Sequence, residues 1–261
     1  MKEEQSMIYD LQKASVLKRI SAGILDFIIV VILATGFFFL FSTVFNYDAL
    51  NEQYDNIYEQ YEETYGFDFR KVTEEMYNKY TEEEKNNYNN AKKALLEDKE
   101  FLKTYNLIIN TTLLMLTFGI LIAILIVEFL VPLILKNGQT LGKKMFGICI
   151  MMDNGVKLKT LPLFVRTLLG KFTVETMIPV YFIVLLYFGR INLLYIIFLG
   201  ALIITQLLLI IIHHKNPLLH DLMSYTVVVD KESQMIFDTE EDLIKYKQEK
   251  ANKTAISKKT F

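Results

Sequence analysis

The chain has 261 residues, of which 52% are hydrophobic, and its formal net charge is −2. Its apolar residues stand in long blocks rather than at amphipathic spacing, which indicates a membrane protein rather than a soluble one. The balanced charge gives no indication of a nucleic-acid partner. Since Cys149 is the single cysteine, the chain can form neither an internal disulfide nor a CxxC metal site. We expect its side chain to be a small hydrophobe in a strand.

Four apolar blocks have the length or nearly the length that a helix needs to cross a bilayer. The predicted spans cover residues 20–45, 107–135, 173–188 and 191–212. The N-terminal block is too long for the apolar region of a signal peptide, so we expect it to be a retained span. The prediction is therefore an all-α membrane protein with four transmembrane helices.

Residues 46–106, between the first two spans, carry fifteen acidic side chains against eight basic ones. Tyrosines recur at helical spacing from Tyr47 to Tyr65, and Thr81 begins a capping-box pattern that would start another helix. We predict that this segment is an inserted helical hairpin that stands off the membrane. Its charges are typical of a solvated face, and a docking site built on its tyrosines is the alternative.

A small β element is predicted after the second span. The apolar run 146–152, the turn signal Asp153-Asn154-Gly155 and the run 156–159 together favour a hairpin. The run 225–230 is expected to join it as the third strand of a small sheet. Residues 161–172 have the pattern of an amphipathic helix that lies in the interface, with Arg166 and Lys171 on its polar side.

The charges of the connecting segments predict the orientation in the cell membrane. Residues 136–171 contain seven basic side chains and one acid, which places them in the cytoplasm by the positive-inside rule. The acidic segment 46–106 then lies outside the cytoplasm. Four spans place both termini in the cytoplasm, including the charged tail of residues 231–261, which we expect to be helical around 238–250.

Three carboxylates fall inside predicted spans. Asp26 and Glu128 each lie a few residues from the cytoplasmic end of their helix, roughly 10 Å below that face, and Glu175 lies near the start of the third span. A charged side chain at the centre of a membrane-spanning helix costs about 2.5–3.5 kcal/mol. We therefore predict that the three acids face inward as a cluster, with Arg19 on the same helix face as Asp26.

This cluster has two interpretations. In the first it is a cation or proton site, because two adjacent carboxylates cannot both ionise easily and one of them can exchange a proton for Na⁺. Asp26, Glu128 and Glu175 are the candidate ligands, and Arg19 and Asp221 would tune the site. In the second interpretation the cluster is structural, with Arg19 paired to Asp26 and Asp221 so that the first span is held to the segment after the fourth.

No enzyme, cofactor or metal site is predicted. The sequence shows no nucleophile–base pattern and no cofactor fingerprint. His213 and His214 are adjacent and cannot share one helix face, so they make a poor metal site together with His220. We expect His220 to form a hydrogen bond at the interface beside Asp221.

Four separated pieces of the sequence occur in an order that resembles the RDD family of multi-pass membrane proteins. They are Arg19, Ala22 and Asp26; the loop 138–147; Asp153-Asn154-Gly155 with Arg166; and His220-Asp221. The resemblance covers about residues 15–45 and 107–230 and implies an RDD-like transmembrane domain over residues 15–230. It does not extend to the inserted hairpin or to the tail.

The resemblance implies two functions, because some members of the family have been linked to cation/proton exchange and others to regulating or assembling membrane partners. The first hypothesis is a regulator or scaffold of other membrane proteins with a structural Arg/Asp/Glu cluster. The alternative is a Na⁺/H⁺ antiporter that uses Asp26 and Glu128, supported by Lys143, Arg166 and His220. The expected partners are the lipid bilayer, a membrane protein, further copies of the chain, and Na⁺ or H⁺.

Overall fold

The computed structural model describes residues 9–188, 193–212 and 217–259, so the connection predicted between the third and fourth spans and the histidines 213 and 214 lie outside the described residues. The helices are α1 Val16–Val44, α2 Tyr47–Tyr65, α3 Glu74–Lys79, α4 Glu82–Glu97, α5 Lys99–Leu135, α6 Leu141–Met145, α7 Thr160–Glu175, α8 Ile178–Phe188, α9 Leu193–Ile212, α10 Leu219–Met223 and α11 Glu240–Lys259. The strands are β1 Ile148–Met152 and β2 Thr226–Asp230.

The chain divides into two compact units. One unit, called here the hairpin unit, consists of residues 35–119. The other, called here the core unit, consists of the chain on either side of it, residues 1–34 and 120–261. The core unit contains all three carboxylates that were predicted to cluster.

Two helices, α1 and α5, have the length and hydropathy of membrane spans. Helix α7 and the first part of α8 qualify together as a third span that is bent by 49°. Residues 196–212 of α9 form a shorter apolar helix. The chain is thus a mostly helical membrane protein, and its described residues contain two or three candidate spans. The predicted number of four stays a prediction. Residues 161–172, predicted as an interfacial helix, lie in α7, the first arm of this bent pair, and their depth in the bilayer stays a prediction.

Strands β1 and β2 form an antiparallel sheet in which Ile148 lies opposite Asp230 and Met152 opposite Thr226. The predicted strand at 225–230 is therefore confirmed. Cys149 lies in β1 and is buried, and burial raises the pKa of its thiol to about 11. Its predicted position as a small hydrophobe in a strand is confirmed.

The predicted return strand at residues 156–159 is wrong, although the turn before it forms. The N–H of Met152 donates to the carbonyl oxygen of Val156 at 2.8 Å, which closes the turn. Beyond it the chain makes only isolated bridges, because Lys157 donates its N–H to Phe237 at 2.8 Å and is drawn toward the tail. The tail helix α11 extends further than the predicted 238–250 region.

In the hairpin unit the predicted helices form, and two tyrosines of α2 pack against a buried ring. Thr81 caps α4 with the full capping box, in which its hydroxyl accepts from the N–H of Glu84 and its own N–H donates to the Glu84 carboxylate. Tyr54 and Tyr58 pack against buried Phe101 with ring centroids 5.6 and 5.4 Å apart. Both rings are half-buried, whereas Tyr65 on the same helix is 41% exposed, so the docking-site alternative stays a prediction.

Candidate functional site

The site is built on two stretches of widened helix in the core unit. Residues Leu125–Leu130 of α5 and Val165–Glu175 of α7 are π-helical, and the two stretches contact each other. Widened turns of this kind are frequent at functional sites because they free backbone groups and change which face a side chain occupies. The hydroxyl of Thr167 donates to the carbonyl oxygen of Glu128 at 3.0 Å and so joins the two stretches.

Asp26 is held by the connecting segment that follows the second span. Its carboxylate accepts from the Thr140 hydroxyl at 2.5 Å and from the Gly142 N–H at 2.8 Å, and the Lys143 ammonium lies 3.5 Å away. The side chain is 2% exposed. A Cβ on Gly142 would lie 2.9 Å from the Asp26 carboxyl carbon, which explains why this close approach requires glycine.

Lys143 joins Asp26 to Glu128. Its ammonium lies 3.4 Å from the Glu128 carboxylate, which also pairs with Lys171. The structure therefore brings the two predicted carboxylates together, with a cation between them. Burial lowers the pKa of Lys143, and this effect outweighs the attraction of Glu128 and Asp26.

Asp221 forms the second half of the cluster and pairs with two arginines. Arg19 donates to it through Nη2 at 2.8 Å, Arg166 donates through Nη1, and the N–H of Leu218 donates at 2.9 Å. Burial alone would raise the pKa of Asp221, but the guanidinium of Arg166, with smaller contributions from His220 and Arg19, holds it well below its ordinary value.

Glu175 and His220 form a neighbouring pair. The Nδ1 atom of His220 lies 2.6 Å from Glu175 Oε1, which also accepts from the backbone N–H of His220 at 3.3 Å. Burial and the nearby Arg166 lower the pKa of His220, so its ring is neutral at pH 7. Within the described part of the chain, no three His, Cys, Asp or Glu side chains are grouped as metal ligands.

The contacts differ from the predicted ones in two respects. The predicted pairing of Arg19 with Asp221 is present, whereas the contacts of Asp26 come from residues 140–143. Arg166, predicted on the polar side of an interfacial helix, is instead 2% exposed and lies inside the cluster, because the π-helical stretch turns it inward.

Sequence reasoning did not find the role of Thr140. It sits at the N-cap of α6, directly before the glycine and lysine that also contact Asp26, and accepts from the N–H of Lys143 at 3.2 Å. Its signals in the sequence are its place in the RDD-like loop 138–147 and the N-cap preference of threonine before a short helix. The second signal predicts the helix start, but neither says which carboxylate receives the threonine hydroxyl.

Comparison with known proteins supports the resemblance seen in the sequence. The family model described as RDD family matches residues 13–225, which include both halves of the charge cluster. No curated protein and no solved structure matches the chain.

Proposed function

The chain belongs to the RDD family, and from that premise we propose that it regulates or scaffolds other membrane proteins, with a structural charge cluster at its cytoplasmic side. The expected partners are the bilayer, another membrane protein and further copies of the chain. We propose no enzymatic activity.

One observation carries this proposal, namely that the buried charges of the cluster compensate one another. Asp26, Glu128 and Asp221 each pair with a cation of the same chain, and these pairs connect elements that are far apart in sequence. Polar contacts between helices hold membrane proteins together, because burial of apolar surface gives little driving force in lipid. A compensated cluster needs no transported ion to be stable, which favours a structural role.

The deciding experiment measures Na⁺-driven proton movement in everted vesicles from cells that lack their own antiporters. Wild-type chain and Asp26→Asn are compared at matched protein levels. We expect no exchange from either chain, and a lower yield of folded protein from the variant. Exchange by the wild type that disappears in the variant would reject the scaffold role.

A partner is sought in the same membranes by photo-crosslinking. A photoreactive amino acid replaces Glu83 in the hairpin unit or Ile32 in α1, because both side chains are exposed. We expect a discrete adduct with another membrane protein or with a second copy of the chain. The unirradiated sample is the control, and an absence of adducts from both positions contradicts the proposal.

A second function, Na⁺/H⁺ exchange, is favoured by the position of Lys143. Its ammonium lies 3.5 Å from Asp26 and 3.4 Å from Glu128, and burial lowers its pKa. If Lys143 releases its proton, the two carboxylates face each other with no cation between them. Na⁺ could then take the place of the lost positive charge, so one proton leaves as one Na⁺ enters.

The variant Lys143→Arg separates the two functions. Arginine keeps a positive charge between the carboxylates but does not lose its proton at physiological pH. An exchanger should therefore lose its Na⁺-driven proton movement, whereas a scaffold should keep its crosslinked partner. Lys159→Arg is the matched control, since that exposed lysine pairs with Glu240 at the surface.

We also propose that both termini and residues 136–171 are cytoplasmic, and that residues 46–106 are outside. The supporting observation is the charge asymmetry of the two segments. Asp153→Cys and Glu83→Cys would be treated with an impermeant thiol reagent in intact cells. We expect labelling of the second variant alone, and labelling at position 153 would reject this orientation. Native Cys149 gives little background because it is buried.

A further inference from the structure

A cavity of about 90 Å³ lies within the charge cluster of the core unit. The polar residues that line it are Arg19, Lys143, Arg166, Lys171 and His220. None of the described lining residues is a carboxylate, although acids pair with these cations elsewhere in the cluster. The space is about six times what one buried water requires, so it is large enough for a tetrahedral oxyanion.

Arg166 lines this cavity and has one donor without a partner among the described residues. It is 2% exposed and donates through Nη1 to Asp221 and to the Thr226 hydroxyl. Its Nε–H has no hydrogen-bond partner in the described chain. Buried N–H groups are rarely left without an acceptor, and a guanidinium edge is the group that binds phosphate oxygens in pairs. Arg166 therefore keeps a spare donor beside this cavity, which suits an anionic group such as phosphate.

An apolar cavity of about 220 Å³ adjoins the polar one. Ile20 of α1 and Ile210 of α9 line it, and both helices are strongly apolar. The two cavities share Arg19, Gly23 and Leu218 as lining residues. A molecule with a phosphate at one end and a hydrocarbon chain at the other would fill both spaces.

We propose that the two cavities bind one anionic phospholipid, with its phosphate beside Arg166 and Lys171 and an acyl chain beside Ile20 and Ile210. Basic pockets between membrane helices on the cytoplasmic side suit anionic headgroups. A choline headgroup would bring its own positive charge toward the four cations of the cavity, so the site discriminates against zwitterionic lipids. The inference rests on the two cavities. It is equally compatible with the scaffold role and with Na⁺/H⁺ exchange.

The test measures the unfolding temperature of the purified full-length chain in detergent with three additives. They are phosphatidylglycerol, phosphatidylcholine and inorganic phosphate, each over a concentration series. A ligand that binds only the folded chain raises the unfolding temperature by mass action. We expect a saturable rise with phosphatidylglycerol, and little change with the other two.

Gly23→Leu tests the junction between the cavities without removing a charge. A Cβ at Gly23 meets nothing within 4 Å, so the larger side chain grows into open space where the cavities meet. Gly36→Leu is the matched control, since a Cβ there also meets nothing within 4 Å and the residue lines neither cavity. We expect Gly23→Leu to weaken the apparent affinity for phosphatidylglycerol by about tenfold or more.

Four results would overturn the proposal. Equal stabilisation by phosphatidylcholine would mean that the contact is with acyl chains alone. Stabilisation by inorganic phosphate that matches phosphatidylglycerol and survives in Gly23→Leu would assign the polar cavity to a free anion. An equal loss of affinity in the Gly36→Leu control, or no response of the wild type to phosphatidylglycerol, would also reject the lipid site.

Discussion

The two units of this protein connect distant parts of the chain by opposite means. The hairpin unit packs aromatic rings, with Tyr54 and Tyr58 against Phe101 around buried Leu95. The core unit uses charges, with Asp221 receiving two arginines. In water, ring burial is favourable because it removes apolar surface from solvent. In lipid that gain is small and hydrogen-bonded charges hold helices together. The comparison therefore agrees with the proposed topology, in which residues 46–106 lie in water and the core unit contains membrane-spanning helices.

The largest expected effect comes from Asp221→Asn, which tests how much the buried charges stabilise the core unit. The change keeps the side-chain size but leaves buried Arg166 without its carboxylate, at a cost of about 4 kcal/mol. We expect a strong fall in the unfolding temperature of the detergent-solubilised chain.

The matched control is Asp238→Asn, because that carboxylate pairs with Lys157 at the surface and its side chain is 79% exposed. This exposed pair contributes less than about 1 kcal/mol. A similar fall in unfolding temperature in the two variants would show that the buried ion pair contributes no more to stability than the exposed one.

Phe101→Ala tests how much ring packing stabilises the hairpin unit. The ring is 3% exposed and contacts Tyr54, Tyr58 and Tyr105, so its loss should cost about 3 kcal/mol. Hydrogen exchange should speed up throughout residues 47–105 while β1 and β2 stay protected. Leu102→Ala, at a side chain that is 40% exposed, is the control. Faster exchange in β1 and β2 as well would mean that the two units do not unfold independently of each other.

A smaller effect is expected from Thr81→Ala in the hairpin unit. The change removes the hydroxyl that caps α4 and should cost about 1 kcal/mol. Hydrogen exchange should accelerate in the first turn of α4 and leave α2 unaffected. Thr64→Ala is the comparison, because that hydroxyl donates to the Gln60 carbonyl oxygen within α2 and does not cap a helix. Unchanged exchange at Glu84 would contradict the role of the cap.

The smallest expected effect is a pH dependence of the hairpin unit. The Asp98 carboxylate accepts from the Phe101 N–H at 2.7 Å and from the Tyr61 hydroxyl at 3.1 Å. Chiefly through the first of these bonds, its pKa is lowered from the ordinary value of 3.8. The stabilisation is therefore complete above that ordinary value and is lost as the pH falls through the lowered pKa.

Urea unfolding followed by the tyrosine circular dichroism of the full chain would measure this dependence. Stability should fall as the pH is lowered from about 5 toward about 3. Asp98→Asn should flatten this part of the curve, and Asp55→Asn, at an exposed carboxylate that pairs with Arg70, serves as the control. A wild-type stability that does not change over this pH range would contradict the proposed contribution of Asp98.

Of the three acids predicted to cluster, Asp26 and Glu128 share Lys143, whereas Glu175 pairs with His220. Depth in the membrane placed Asp26 and Glu128 in one band, and the cost of facing lipid turned them inward. Lys143 was named as a supporting residue, but its position between the two acids was not predicted, because it follows a loop whose contacts include the Asp26 carboxylate itself. Arg166 was predicted on an exposed face because a regular helical period was assumed, and the π-helical stretch changes that period.

The hairpin unit was more predictable, because its signals are local. The capping box at Thr81 and the tyrosine spacing of α2 each depend on residues within a few positions. The predicted return strand at residues 156–159 was wrong for the opposite reason. Lys157 bonds to Phe237, which lies eighty residues later in the chain, and no pattern near Lys157 reveals that contact.

The Gly142 contact of Asp26 has a consequence for how the protein is made. The two residues lie 116 positions apart, so α1 emerges from the ribosome well before the segment that satisfies its carboxylate. At about 5–20 residues per second, this interval lasts roughly 6–23 s. Biosynthesis therefore passes through a stage in which the nascent first helix lacks its donors. A chain that stops before residue 140 never leaves this stage, and it presents membrane quality-control proteases with an acid that the finished protein conceals.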